Sequence, residues 1–129
     1  KLKKYLDNNF EVIFVVSPNR FMRENYSQFG WVRSDKNNNV LKISCKKKIH
    51  GNSLNDKVIL GSFVFTSFKN FKKGHNLMIK KKNLTKNEYY IDTLMSEIIK
   101  FKKVKIILIK KFINWGTPFE YERNKNKVF

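Results

Sequence analysis

The hydrophobic pattern divides the chain into short strands and two longer helices joined by polar tracts. Phe10–Val16 (FEVIFVV) is almost continuously apolar and rich in β-branched residues, which predicts a strand buried on both faces. Ser17-Pro18-Asn19 ends it, because proline lacks the N–H that a central strand requires. Upstream, Leu2 and Leu6 at i,i+4 spacing predict the end of a helix within residues 1–9. Arg20–Gln28 reads as a polar connection with room for a short helix. Phe29–Arg33 and Val40–Cys45 read as two strands. They are joined by Ser34-Asp35-Lys36-Asn37-Asn38-Asn39, a tract suited to tight turns, so the pair predicts a hairpin.

The second half repeats this grammar with more helix. Lys57–Thr66 predicts a long strand interrupted by Gly61, which marks a bulge or a close approach to the backbone. Ser67–Lys82 predicts an imperfect helix that Gly74 weakens at its middle. Glu88–Phe101 has the strongest helical period, with Asn87 as N-cap and Glu88 complementing the helix dipole. Val104–Ile109 predicts a strand that Lys110–Asn114 continues or re-pairs, followed by a turn at Gly116. Thr117 caps a short helix that has Pro118 in its first position and runs through Tyr121, and Lys125–Phe129 forms a tail. This order predicts a single α/β domain over residues 1–129, with flanking helices on a mixed sheet and the hairpin as an antiparallel addition.

Composition changes this picture only modestly. The net charge of +18 invites a nucleic-acid reading. However, only four of the 28 basic residues are arginine, and lysine and asparagine abound as A/T-rich codons would dictate. Lysine is a solvated point charge and lacks the planar fork that reads bases and phosphates. Nucleic acid is therefore not the expected partner, and the lysines read as solvated surface. The single cysteine, Cys45, excludes an internal disulfide and reads as a small apolar strand residue. His50 and His75 lack ligand spacing and read as surface loop residues. No apolar run is long enough for a membrane span, and no signal peptide is visible, so a cytoplasmic setting is expected.

Two segments carry candidate chemistry. Glu88 and Asp92 are four residues apart, so a helix start would put both carboxylates on one face. Trp115-Gly116-Thr117-Pro118 combines a tight turn with backbone amides and a hydroxyl that suit an anion, and Lys47 would supply a matching charge for a phosphate. Dipole complementation, a surface carboxylate, a core tryptophan and a capped helix account for the same residues without a ligand.

The order of these motifs resembles the C-terminal half of the sugar-phosphate nucleotidyltransferases. The resemblance rests on Phe29-Gly30-Trp31-Val32, the hairpin strand Val40–Ile43 and Lys46-Lys47. It continues through Gly61-Ser62-Phe63-Val64-Phe65, Asn87–Asp92 and Trp115–Glu120. It implies a GT-A-like, Rossmann-related fold and transfer of a nucleotidyl group from an NTP to a sugar 1-phosphate with Mg²⁺. The product, an NDP-sugar, would serve surface-polysaccharide synthesis. The resemblance places Gly30 along the sugar, Lys47 on its phosphate and Glu88 on its hydroxyls. Asp92 matches a recurrent acidic position, and Trp115, Gly116 and Thr117 lie beside the phosphates and metal. Two departures stand out: Lys46 and Lys48 replace the Glu and Pro of a Glu-Lys-Pro motif, and Asn114 stands where relatives often carry a metal-binding Asp.

The Gly-rich nucleotide loop of that family has no counterpart among the five glycines. The expectation is a partial enzyme, inactive alone, that supplies the sugar-phosphate side of the site. A non-catalytic remnant or regulatory module of the same fold is the alternative, and a basic nucleic-acid-binding protein is a more distant one. An exposed sheet edge where the missing half belongs would favour a homo-oligomer.

Overall fold

A computed structural model describes residues 1–49, 51 and 55–127. His50 and the end of the tail, residues 128–129, lie outside the described residues. The elements follow in the order α1 (Leu2–Asp7), β1 (Glu11–Val16), α2 (Arg20–Glu24), a 3-10 turn (Tyr26–Gln28), β2 (Gly30–Ser34) and β3 (Val40–Cys45). They continue with β4 (Lys57–Val64), α3 (Phe68–Lys80), α4 (Ile91–Ile98), β5 (Val104–Leu108) and α5 (Pro118–Asn124). The five strands form one mixed sheet in the order β3-β2-β4-β1-β5. β1 runs parallel to β5, and the pairs β1–β4, β2–β4 and β2–β3 are antiparallel.

The apolar run of β1 is central and covered on both sides. Ile13 and Val15 enter the larger core with Val32, Ile43 and Ile59 from the sheet and Met78, Leu94, Met95 and Ile98 from α3 and α4. On the opposite face Trp31 and Val58 pack with Met22 of α2 and with Ile49. Adjacent residues such as Trp31 and Val32 thus point to different cores, as strand alternation requires.

The hairpin turn is built by Asp35. Its Oδ1 accepts from the amides of Asn37 and Asn39, both at 2.8 Å, and Asn38 takes the left-handed backbone at φ 63°. The turn also reaches across to β5, where Ile106 N donates to Asn38 O at 3.0 Å. Part of the β5 edge of the sheet is therefore covered. Gly61 is a bulge, as its position suggested. The pairing slips from Ile13↔Phe63 to Val15↔Ile59, and Gly61 takes φ 75° inside the slip.

Three expectations about elements change. Gly74 does not weaken α3; it lets α4 approach, because a Cβ there would lie 2.6 Å from Ile98 Cγ1. α4 starts at Ile91 instead of Glu88, and its N-cap is Tyr90, which makes no side-chain capping bond. Asn87 is not a cap: Lys86 and Asn87 have φ 50° and 62° and form a tight turn closed by Thr85 and Glu88, whose amides and carbonyls exchange two hydrogen bonds. Past Leu108 the strand does not continue through Asn114. α5 begins as expected, with Thr117 accepting from Glu120 N and Pro118 in the first turn, and extends to Asn124.

Two buried carboxylates tie neighbouring elements together, one between sheet and helix and one between the two helices. Glu11 is fully buried and accepts from Thr66 N (2.5 Å), Thr66 Oγ1 (2.9 Å) and Asn70 Nδ2 (2.7 Å). It thereby ties the exit of β4 and the first turn of α3 to β1. Glu97 on α4 is bonded to Lys81 (2.6 Å), Lys100 (2.8 Å) and Asn83 (3.2 Å). Its carboxyl is held below the usual range by Lys100, Lys81 and Asn83, which together outweigh the opposing effect of burial, the largest single influence.

Candidate functional site

A cleft of about 700 Å³ opens over the end of the sheet where β2 begins and β3 ends. Four segments line it: Ser27–Gly30 entering β2, Lys46 leaving β3, Val58–Gly61 with Phe63 on β4, and Tyr90–Asp92 entering α4. Phe112, Asn114, Gly116, Thr117 and Glu120 close it from the C-terminal side.

Asp92 is the charged group at its floor. It sits in the first turn of α4 and is half-buried. Burial raises its carboxyl to about 6, against the opposing pull of Lys46. A group poised near neutral pH in a cleft is suited to accept or hold a proton. Gly30 makes that position available, since a Cβ there would lie 2.0 Å from Asp92 Oδ2.

Lys46 faces Asp92 from the end of β3. The backbone turns into the left-handed region at this residue, φ 55°, while its amide still donates to Phe29 O at 3.1 Å. Its Nζ lies 4.5 Å from the centre of the Tyr90 ring. Tyr90 is the chief reason that the ammonium is held above its usual range, and Glu88 contributes weakly. The Tyr90 hydroxyl in turn donates to Glu88 Oε2. The result is a chain of interactions, Asp92–Lys46–Tyr90–Glu88, that presents a fixed cation to the cleft.

The C-terminal wall is held by Asn114. Its Oδ1 accepts from Gly116 N (2.9 Å), its Nδ2 donates to Glu120 Oε1 (2.7 Å), and its carbonyl accepts from Asn124 (3.1 Å). Glu120 is buried, and its second oxygen accepts from Thr117 Oγ1 at 3.1 Å. Asn114 and Glu120 therefore satisfy each other and the turn between them.

The structure brings together Gly30, Asp92, Gly116 and Thr117 of the sequence candidates, with Asn114 beside them. It does not bring Lys47, Glu88 or Trp115 to the cleft. Lys47 is exposed and points elsewhere; the left-handed step at Lys46 breaks strand alternation and hands the cleft to Lys46. Glu88 is exposed in the tight turn and reaches the site only through Tyr90. Trp115 is 57% exposed and meets Tyr121 edge-on at 6.0 Å. Sequence reasoning missed Lys46, Lys86, Tyr90 and Glu120. A lysine run and a tyrosine between two acids were visible, but neither indicates which member turns inward.

The Mg²⁺ that the resemblance implies can be tested against this donor set. Among the described residues no group of three His, Cys, Asp or Glu side chains is placed to hold a metal. Asn114 Oδ1 is engaged by a backbone amide, and both Glu120 oxygens accept hydrogen bonds. These residues do not fit a resident Mg²⁺.

No protein-family model matches the sequence, and no curated protein matches it. A solved structure does: the nucleoside-diphosphate-sugar pyrophosphorylase from Vibrio cholerae RC9, with a TM-score of 0.72 and 17% identity. The match covers 92% of this chain and 47% of that one, so the chain spans about half of that enzyme's length. At this identity the likeness shows the fold alone: a mixed, Rossmann-related α/β sheet with flanking helices. No helix among the described residues is long and apolar enough to cross a membrane.

Proposed function

We propose that this chain forms the sugar-phosphate side of a nucleotidyl-transfer site. The observation that carries this reading is the convergence of Gly30, Lys46, Asp92 and the 114–117 turn on one cleft, in a fold like that of a nucleotide-sugar pyrophosphorylase. Lys46 supplies the cation for a phosphate, and its pairing with Tyr90 keeps it charged and in place. Asp92 accepts hydrogen bonds from sugar hydroxyls, and the bare backbone at Gly30 leaves the room in which its carboxylate sits. The Gly116 and Thr117 segment borders the phosphate end.

In the complete enzyme the NTP, and any Mg²⁺ that takes part, are held by residues outside the 114–120 turn. The NDP-sugar product would feed polysaccharide synthesis. The amide at Asn114 also favours a second reading, a ligand-binding module of the same fold without catalysis.

Calorimetry with a panel of sugar 1-phosphates tests the first reading. Lys46→Ala should weaken binding about tenfold or more, as expected for loss of a charge-assisted bond, whereas Lys47→Ala should change it less than about twofold. Dependence on Lys47 instead of Lys46, or no binding by any sugar phosphate, would sink the proposal. The chain by itself should bind NTPs weakly or not at all.

A further inference from the structure

The outer face of α3 has a character that the cleft does not explain. Lys69, Lys72, Lys73 and Lys80 line a shallow groove of about 360 Å³ along the helix. By helix rise, the stripe from residue 69 to residue 80 is about 16 Å long. Residues 57–87 contain eight lysines and no Asp or Glu. The acids at the two ends of α3 are already engaged, Glu11 with Thr66 and Asn70 and Glu97 with Lys81 and Lys100. Lys73 lies over the Phe101 ring at 4.3 Å, and no ion pair among the described residues involves Lys69, Lys72 or Lys80.

Aromatic rings run beside the lysines. Phe68 is 75% exposed at the start of the helix. Its ring stacks on Phe71 at 6.1 Å with planes 19° apart, and Phe71 stacks on the exposed His75 at 6.3 Å and 14°. Three near-parallel rings thus flank a row of cations. Point charges along one helix face suit a phosphate backbone, and exposed ring faces suit unpaired bases. An anionic membrane fits less well, because Met78 and Gly74 of α3 face inward and its exposed apolar side chains, Phe68 and Ile79, lie at opposite ends of the helix. An acidic peptide would use the lysines and leave the rings idle.

We propose that the outer face of α3 binds single-stranded nucleic acid, with Lys69, Lys72 and Lys80 on phosphates and Phe68 and His75 stacking on bases. The lysines that read as generic solvated surface in the sequence are, on this face, a directed stripe. The site is separate from the cleft and independent of the reading given for it.

Fluorescence anisotropy with a labelled oligothymidylate of about twelve nucleotides, and with an abasic strand of equal length, tests this. The triple change Lys69→Glu, Lys72→Glu, Lys80→Glu should weaken oligothymidylate binding about thirtyfold or more. It should also lower the slope of log affinity against log salt by about 2, since each phosphate contact contributes about 0.7. The same charge change placed on Lys3, Lys4 and Lys110, all exposed and outside the α3 groove, should weaken binding less than about threefold. Phe68→Ala should weaken oligothymidylate binding about tenfold with the salt slope unchanged, and should leave the abasic strand unaffected. Equal losses from the two triple variants would mean diffuse attraction to the +18 chain and would overturn the proposal. So would binding to phosphatidylserine vesicles without binding to the oligonucleotide, or equal affinity for the abasic strand.

Discussion

The Asp92 carboxylate occupies the space that a side chain at residue 30 would need. A Cβ on Gly30 would lie 2.0 Å from Asp92 Oδ2 and 2.8 Å from its Cγ. Gly30→Ala should therefore expel the carboxylate from the cleft floor and destabilise the fold by about 1–3 kcal/mol, the usual cost of overpacking. The two sites should be strongly coupled. In an Asp92→Ala background the same change should cost much less, and a double-mutant cycle by urea denaturation measures the difference. Equal costs in both backgrounds would place the clash elsewhere.

Asp92 should also give the protein a distinctive pH response. Its carboxyl titrates near 6 in the fold against 3.8 when unperturbed, so between these values the native state holds a proton that the unfolded chain has lost. Stability from this group is complete below about pH 4, falls as pH rises, and is gone above about 6. The loss is on the order of 1–3 kcal/mol. Asp92→Asn should remove that slope, which denaturation series at pH 4.5, 5.5 and 7 can compare with wild type. A wild-type curve that rises with pH in step with the variant's would contradict this.

Gly74 invites a misleading improvement. Helix propensity alone says that Gly74→Ala should stabilise α3 by about 1 kcal/mol. The added Cβ would instead meet Ile98 Cγ1 at 2.6 Å and Ile98 Cδ1 at 3.1 Å. We expect a net loss of about 1–3 kcal/mol, and a smaller one in an Ile98→Ala background, which lacks both atoms. Thermal melts of the two single variants and the double variant decide between propensity and packing.

Asn114→Asp tests the closed donor set of the C-terminal wall. The amide donates to Glu120 at 2.7 Å, and a carboxylate in its place would face another carboxylate in a buried setting. The variant should lose about 1–3 kcal/mol at pH 7, less at pH 5 where one proton can be shared. Millimolar Mg²⁺ should recover part of the loss in the variant and leave wild type unchanged. An Mg²⁺-dependent melting temperature in wild type would show that the wall binds metal as it stands.

Much of the fold was legible because hydrophobic period and turn chemistry agree. β3 follows its predicted bounds, and Thr117-Pro118 starts a helix because cap and fixed φ act together. The misses cluster where one residue type serves two purposes. Asparagine is both a good N-cap and a good left-handed turn residue; Asn87 is the second, so Glu88 leaves the helix and the cleft. The cleft lysine was one residue off because a left-handed backbone at Lys46 is invisible to strand alternation. The roles of Glu11 and Glu97 had no local signal in the sequence, since their partners lie far along the chain or on another element.

The end of α3 carries a consequence for how far this protein can be hardened against heat. Lys82 stands in the left-handed position just past the helix, where its amide reaches Ile79 O at 2.9 Å and the next amide reaches Met78 O at 3.1 Å. Glycine is the usual occupant of that position, and a lysine there carries backbone strain of roughly 1–2 kcal/mol. Lys86 bears the same strain in its turn. Lysine at these two points keeps the chain below the thermal tolerance that its own architecture permits. Lys82→Gly would raise it while leaving the cleft, the core and the α3 stripe as they are.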